Sequence, residues 1–401
     1  MGPLEGLKVI DLTHVMAGPA CTLMLADMGA DVIKIERMPG GDDTRRSVPP
    51  TIGGESAAFM MMNRNKRGIA LDLKTDGGRR VLKRLLDGAD VLVENYRPGT
   101  LAKLGFGYED LRRDHPGLIY CALSGFGRTG PYGHRGGFDL VAQAMSGIMS
   151  ITGEGPGRPP TKCGAPLTDI TCGILAAMGV LAAYAHRLKT GRGQMVDTSL
   201  FEAGIVQTYW QSAIALATGT APGPMGSAHP LNAPYQAFET ADGWIVVGGS
   251  NQSNWLRALE ALEAQHLADD PRFRDNAARM SHLKELEAAL APYFAARRSD
   301  ELLARFEATG VPAGPVYDVN QMHRDPQVLA REMVVEVEHA RLGPVRTVGL
   351  PVKFSDTPGE VARGAPLFGQ HTREVLREHD FTDPEIDALL AEVAVALAPP
   401  D

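Results

Sequence analysis

The sequence predicts an α/β protein, with a Rossmann-like large domain built on a parallel sheet and a smaller α+β domain behind it. Three observations carry this. Short apolar runs alternate with helical stretches through residues 1–200. Glycine or proline turns follow those runs. The first strand–helix–strand passage spans about thirty residues, the size of a βαβ unit with parallel strands.

The elements follow in order. Leu7–Leu12 reads as a strand, Ala20–Met28 as a helix stopped by Gly29, and Asp31–Glu36 as a second strand. Gly68–Leu73 is a strand, Asp76–Leu86 a helix, and Asp90–Asn95 and Leu118–Leu123 two more strands. A helix is expected over Asp197–Ala217, with residues 201–224 forming a linker helix and a Pro/Gly-rich connector. The small domain is expected over 225–335. It has strands at Pro234–Phe238 and Trp244–Val247 around the Ala241-Asp242-Gly243 turn, and helices at Trp255–Glu263, Ser281–Phe294 and Ser299–Thr309. Val311–Val316 reads as a strand-like return, and His339–Phe354 as a β pair around Leu342-Gly343-Pro344. Residues 336–401 are expected to return to the large domain, with a long helix after Gly369-Gln370-His371-Thr372 and another from Asp383-Pro384.

Composition narrows the function. The chain has 401 residues, 44% hydrophobic and 22% charged, which suits a soluble protein with more than one domain. A formal charge of −8 argues against a general nucleic-acid surface, so an anionic ligand must meet local cations. Cys21, Cys121, Cys163 and Cys172 form no C-x-x-C pair. That disfavours zinc or a disulfide framework and fits a reducing cytoplasm; no metal is expected. The N-terminus shows no signal peptide, and Gly6 stands where myristoylation wants Ser or Thr. The apolar run after Asp169 falls short of the ~20 residues of a membrane span and reads as a buried helix.

Ligands of open parallel sheets lie at the carboxyl ends of the strands. His14 to Ala17, Arg37, Lys74 and Asn95-Tyr96-Arg97 are therefore expected along one rim. Gly125-Phe126-Gly127-Arg128-Thr129-Gly130 matches G-x-G-x-x-G, but a loop follows where a dinucleotide site needs a helix N-terminus. NAD binding is disfavoured on that ground.

Residues 158–193 hold the sharpest signal. A Pro/Gly-rich loop passes Asp169, enters a small apolar helix and ends in Lys189-Thr190-Gly191-Arg192-Gly193. Local sequence leaves two roles open. Thr168 or Asp169 can cap the helix, or Asp169 is a nucleophilic carboxylate at its positive end.

The segment G-A-P-L-T-D-I-T-C-G with K-T-G-R-G-Q behind it resembles the family III CoA-transferases, the CaiB/BaiF group that includes formyl-CoA transferase and the α-methylacyl-CoA racemases. L-K-V-I-D-L-T-H-V-M-A-G-P, G-A-D-V-I-K-I-E-R-M-P-G-G-D-D-T-R, N-R-N-K-R, V-E-N-Y-R-P-G and L-F-G-Q-H-T extend the resemblance over nearly the whole chain. It implies an interlocked homodimer, with Asp169 as nucleophile. It implies coenzyme A as co-substrate, contacted around Val15, Met16, Ala17, Arg37, Leu71, Lys74, Asn95, Tyr96, Arg97, Lys103, Phe138 and Asp139. Partners are then an acyl-CoA and a small carboxylic acid, with no nucleic acid and no membrane.

Met16 stands where formyl-CoA transferase has glutamine, and that enzyme's glycine-rich small-domain loop is not found, which argues against oxalate. Racemases place a His-Asp pair at Phe138-Asp139, and Phe138 is no base, so racemase is the alternative and transfer the main reading. Gly226-Ser227-Ala228-His229-Pro230 is similar to the succinyl-CoA-dependent dicarboxylate branch. The substrate-side candidates are His14 and Arg64. Arg64 is the expected anchor for a far carboxylate, because no Lys or Arg occurs between Arg192 and Arg257.

Overall fold

The structure, a computed structural model, describes residues 2–398. The chain divides into two units. One holds the chain up to Gly147, Cys163–Gln207 and the chain from Pro326 onward; the other holds Ile148–Lys162 and Thr208–Asp325. The division thus falls at 207/208 and 325/326, and it assigns residues 148–162 to the smaller unit, where the linear reading had not put them.

The larger unit is built on a seven-stranded sheet. Its strands are β1 (Lys8–Asp11), β2 (Asp31–Arg37), β3 (Arg67–Leu71), β4 (Val91–Glu94), β5 (Ile119–Ser124) and β6 (Met195–Ser199), with Val395–Ala396 at one edge. The order β3-β2-β1-β4-β5-β6 is the doubly wound arrangement, all parallel, and Val395–Ala396 joins β3 antiparallel. Strands buried on both faces need unbroken apolar runs, and Val9, Ile10, Val32, Ile33, Ile69 and Leu92 supply them. On one face Ile10, Ile33, Ile69 and Leu92 pack against Val81, Leu82 and Leu85 of the helix Asp76–Asp87. On the other, Val9, Val91 and Cys121 meet the helix Ala17–Asp27 and the helix Leu167–Thr190.

Several expectations need correction. β6 replaces the start of the helix expected from Asp197: Val196 and Thr198 extend the sheet, and Ser199 then caps a short helix, Leu200–Val206. The helix Ala17–Asp27 begins three residues early, with Pro19 tolerated in its first turn. Neither Thr168 nor Asp169 caps the long helix. It begins at Leu167, runs 24 residues, and carries Asp169 in its first turn. It is long and apolar enough to cross a membrane by length and composition, but one face is buried in the unit's core. That face needs glycine: a Cβ on Gly173 would meet the Ala17 carbonyl oxygen at 2.7 Å. The other face, with Ile170, Ile174 and Met178, is exposed, so the helix is half-buried. The expected long helix after His371 is only Thr372–Glu378, followed by Asp383–Ala391. The β pair is Val334–His339 with Gly343–Val348.

The smaller unit has a three-stranded antiparallel sheet of Tyr235–Thr240, Gly243–Gly248 and Ala313–Pro315. Its core gathers Phe238, Trp255, Phe273, Phe294 and Phe306.

A buried ionic network holds the loop after β1. Lys34, fully buried on β2, donates to Asp42 at 2.9 Å and to the Thr13 carbonyl at 2.9 Å. Asp42 in turn accepts from the Val15 N–H at 3.1 Å and from Thr44 N–H and Oγ1 at 3.0 and 2.8 Å. Asp11 accepts from Lys66 at 3.1 Å, from Thr22 at 2.6 Å and from the Thr13 N–H at 2.9 Å. Burial would raise Asp11, but Lys66, Lys34 and the threonine hydrogen bonds outweigh it and hold its carboxyl at about 2. Val15 is left at φ +68°, a left-handed conformation that costs a β-branched residue about 1–3 kcal/mol.

Removing one member strands a buried charge. Asp42→Ala should cost about 3–5 kcal/mol in urea unfolding, and Lys34→Met with Asp42→Leu should recover most of it. A loss below about 1 kcal/mol for Asp42→Ala would show that the pair does not hold the loop.

Candidate active site

A cavity of about 230 Å³ opens at the carboxyl ends of β1, β4 and β5. β1 and β4 lead to opposite halves of the sheet, so this is the switch point where such folds bind ligands. A larger cavity, about 680 Å³, lies around Lys8, Asp31 and Arg67 at the amino ends of β1, β2 and β3. Position favours the smaller one, which also holds Asp169.

Two strand-end loops form one wall and are latched together. The His14 N–H donates to Asn95 Oδ1 at 2.9 Å, and Asn95 Nδ2 returns a bond to the His14 carbonyl at 2.8 Å. His14 Nε2 lies 3.1 Å from the Tyr96 hydroxyl. Burial, with Lys34 nearby, holds the His14 imidazole below its ordinary value, so it is neutral at neutral pH. Burial pushes the Tyr96 phenol up to about 12.

Asp169 enters through a second set of bonds. The Asp139 carboxylate accepts the Thr168 N–H at 3.0 Å and the Thr168 hydroxyl at 2.8 Å, capping the long helix from outside. Gln143, fully buried, donates to Asp139 at 2.8 Å and accepts the Cys163 N–H at 2.9 Å. These bonds tie the incoming loop to the helix Asp139–Met145. The neighbouring Asp169 is partly buried. Burial first, then the Asp139 charge, push it up to about 6, against the pull of the helix N-terminus.

The structure brings His14, Val15, Met16, Ala17, Asn95, Tyr96, Arg97 and Phe138 to the cavity that holds Asp169. Other expected residues lie elsewhere. Arg37 pairs with Asp43 at the surface. Lys74 and Lys103 are exposed away from the cavity wall. Leu71 is 1% exposed in the sheet core, so its side chain is a packing contact and not a ligand contact. Asp139 is engaged by Thr168 and Gln143.

Arg64 must be reassigned. It is buried, donates to Asp27 at 2.6 Å and does not line the cavity. Its guanidinium neutralises an internal carboxylate and does not anchor a substrate.

Sequence reading missed Lys34, Asp42, Gln143 and Arg135. Lys34 had a signal, a lysine inside the apolar strand Val32-Ile33-Lys34-Ile35, where a charge demands a buried partner. Gln143 had none: Asp139 lies one turn away on its own helix, but the loop at Cys163 that it also holds is twenty residues further along the chain.

A doubly wound sheet with a partly buried carboxylate in its switch-point crevice defines an α/β protein with a ligand site at that crevice. Comparisons with known proteins then specify which. The family model described as CoA-transferase family III matches residues 4–372. The chain is 39% identical over 378 residues to the succinyl-CoA:glutarate CoA-transferase of Mus musculus, covering 94% of this chain and 86% of that one. It is 41% identical over 391 residues to the succinyl-CoA:mesaconate CoA-transferase of Haloarcula marismortui, covering 94% and 96%. A solved CAIB/BAIF family protein from Brucella suis matches with TM-score 0.84 and 39% identity, over 94% of this chain and 100% of that one. The chain belongs to CoA-transferase family III.

The raised Asp169 makes a stability prediction. A carboxyl whose folded value lies above its unfolded one favours folding at low pH, and that contribution is lost as pH rises through about 6. Asp169→Asn should therefore raise the melting temperature by a few degrees at pH 8 and leave it unchanged at pH 4. An equal effect at both values would mean that Asp169 titrates normally.

Proposed function

We propose that the enzyme moves coenzyme A from an acyl-CoA donor, succinyl-CoA, to a free dicarboxylic acid. The observation that carries this is a partly buried carboxylate, Asp169, with no ion-pair partner among the described residues, in the cavity that holds Arg97. A carboxylate kept ready to share its charge suits attack on a thioester.

Asp169 attacks the thioester carbonyl, the C–S bond breaks, and CoA thiolate departs to leave a mixed anhydride. The thiolate attacks the Asp169 carbonyl, breaking the anhydride C–O bond and releasing the donor acid. The acceptor carboxylate attacks the aspartyl thioester and frees the thiolate again. That thiolate takes the acyl group from the second anhydride and regenerates Asp169. No proton is gained or lost, so no general base is required.

CoA is longer than the cavity. Arg97 on the wall would meet its phosphates, with Arg37, Lys74 and Lys103 as counter-charges further out. The dicarboxylate class is supported by the named activities of the relatives. Racemisation is not favoured: it needs a base near the α-carbon, and Phe138 is no base while Asp139 is hydrogen-bonded into the helix. A homodimer belongs to the proposal. Ile170, Ile174 and Met178 make an exposed apolar stripe at four-residue spacing, and a second copy would cover it. A cytoplasmic setting is supported by Cys21, Cys121 and Cys172, which are buried as free thiols.

The test offers succinyl-CoA with a panel of mono- and dicarboxylic acids and reads new thioesters by mass spectrometry. One or more dicarboxylates should exchange, and Asp169→Ala should yield no thioester above background. kcat/KM for the donor should fall as pH drops through about 6, as Asp169 takes up its proton. Exchange that persists in Asp169→Ala would overturn the assignment.

A further inference from the structure

The loop Gly125–Gly137 has no part in the chemistry above, yet it is tightly built. Its ends touch: a Cβ on Gly125 would lie 2.6 Å from the Gly137 Cα, and one on Gly137 2.6 Å from the Gly125 Cα. Only glycine fits at either position. A surface loop closed on itself in this way commonly carries function.

A turn within it sets one side chain. The Arg135 N–H donates to the Tyr132 carbonyl at 2.8 Å, and the Arg135 guanidinium lies over the Tyr132 ring, 4.0 Å from its centre. Tyr132 meets Phe126 edge-on at 5.7 Å, and Phe126 meets Phe201 at 5.8 Å. This ladder ends beside Leu200, which lines the same cavity as Arg135 and Asp169.

Most arginines of this unit near the sheet are neutralised: Arg37, Arg45, Arg64, Arg67 and Arg128 each pair with a carboxylate. Among the described residues, Arg135 and Arg97 are the arginines on the cavity wall, and neither has a carboxylate partner. Arg97 is already assigned to the phosphates of the nucleotide tail, together with Arg37, Lys74 and Lys103 further out, which leaves Arg135 unassigned. A guanidinium stacked on a ring keeps its planar fork free and pre-organised for a bidentate carboxylate.

We propose that Arg135 receives the far carboxylate of a dicarboxylic acyl group while its near end reacts at Asp169. This rests on the dicarboxylate reading above and names the residue that enforces it. A monocarboxylic acid of the same length leaves the fork unmatched, so Arg135 sets selectivity and not the chemistry itself.

The experiment compares glutarate with pentanoate as acceptors, with succinyl-CoA as common donor. In a ping-pong cycle the acceptor kcat/KM reports only the second half-reaction, so the donor's own carboxylate cancels. Arg135→Leu should lower the glutarate/pentanoate ratio of kcat/KM by about tenfold or more, the scale of a lost charge-assisted hydrogen bond. Arg135→Lys, which keeps charge but loses the fork, should fall between, and circular dichroism confirms that both variants are folded. Arg97→Leu should instead lower both acceptors together and weaken CoA binding.

A ratio unchanged in Arg135→Leu, or a parallel loss on both acids with weaker CoA binding, would overturn the assignment. If the wild-type enzyme uses no dicarboxylate, the parent reading fails and takes this one with it. A wild-type preference for glutarate that survives Arg135→Leu removes this inference alone.

Discussion

The buried Lys34–Asp42 pair is the interaction on which the site depends. A lysine with no solvent exposure in the middle of a parallel sheet is costly unless its charge is met, and Asp42 and the Thr13 carbonyl meet it. The same aspartate also holds the Val15 N–H. One buried carboxylate thus neutralises the sheet interior and fixes a strained loop. That loop presents His14, Val15 and Met16 to the cavity, and Asn95 locks it to the neighbouring strand end. Remove Asp42 and the Val15 N–H loses its acceptor, which leaves the positive φ of Val15 held only through the Asn95 latch on His14.

Asp169 is governed by an opposite electrostatic choice. The network around Asp11 and Asp42 supplies cations and donors and keeps both carboxyls ionised. Around Asp169 the fold supplies burial and another carboxylate, and among the described residues no ion-pair partner. The first arrangement stabilises the fold. The second leaves a carboxylate that is poorly satisfied as an anion, at the expense of stability above its titration point, and the proposed function turns this to use in a covalent step.

Much of the architecture was legible because buried parallel strands write themselves as apolar runs, and β1 to β5 were read within a few residues of their bounds. β6 was not: as a half-exposed edge strand with Asp197 and two threonine or serine positions, it lacks the run. The place of Asp169 in the cavity was expected from the family resemblance, while local sequence left its role divided between cap and nucleophile. The cap comes from Asp139, 29 positions before Thr168 in the chain, a relation that no local pattern encodes. Arg64 failed for the same reason in reverse: an isolated arginine in sequence shows nothing of Asp27, which neutralises it. Arg135 sat in the loop after the G-x-G-x-x-G match, read only as the reason to set that motif aside, and its aromatic stacking becomes visible only once the loop closes.

The most direct measurement of the central claim is peptide-resolved mass spectrometry of enzyme mixed with an acyl-CoA donor and quenched before any acceptor is added. The account predicts CoA in thioester linkage on the peptide bearing Asp169, together with free donor acid, and loss of that adduct when an acceptor acid follows. Turnover without an adduct on that peptide, or an adduct on another side chain, would contradict it.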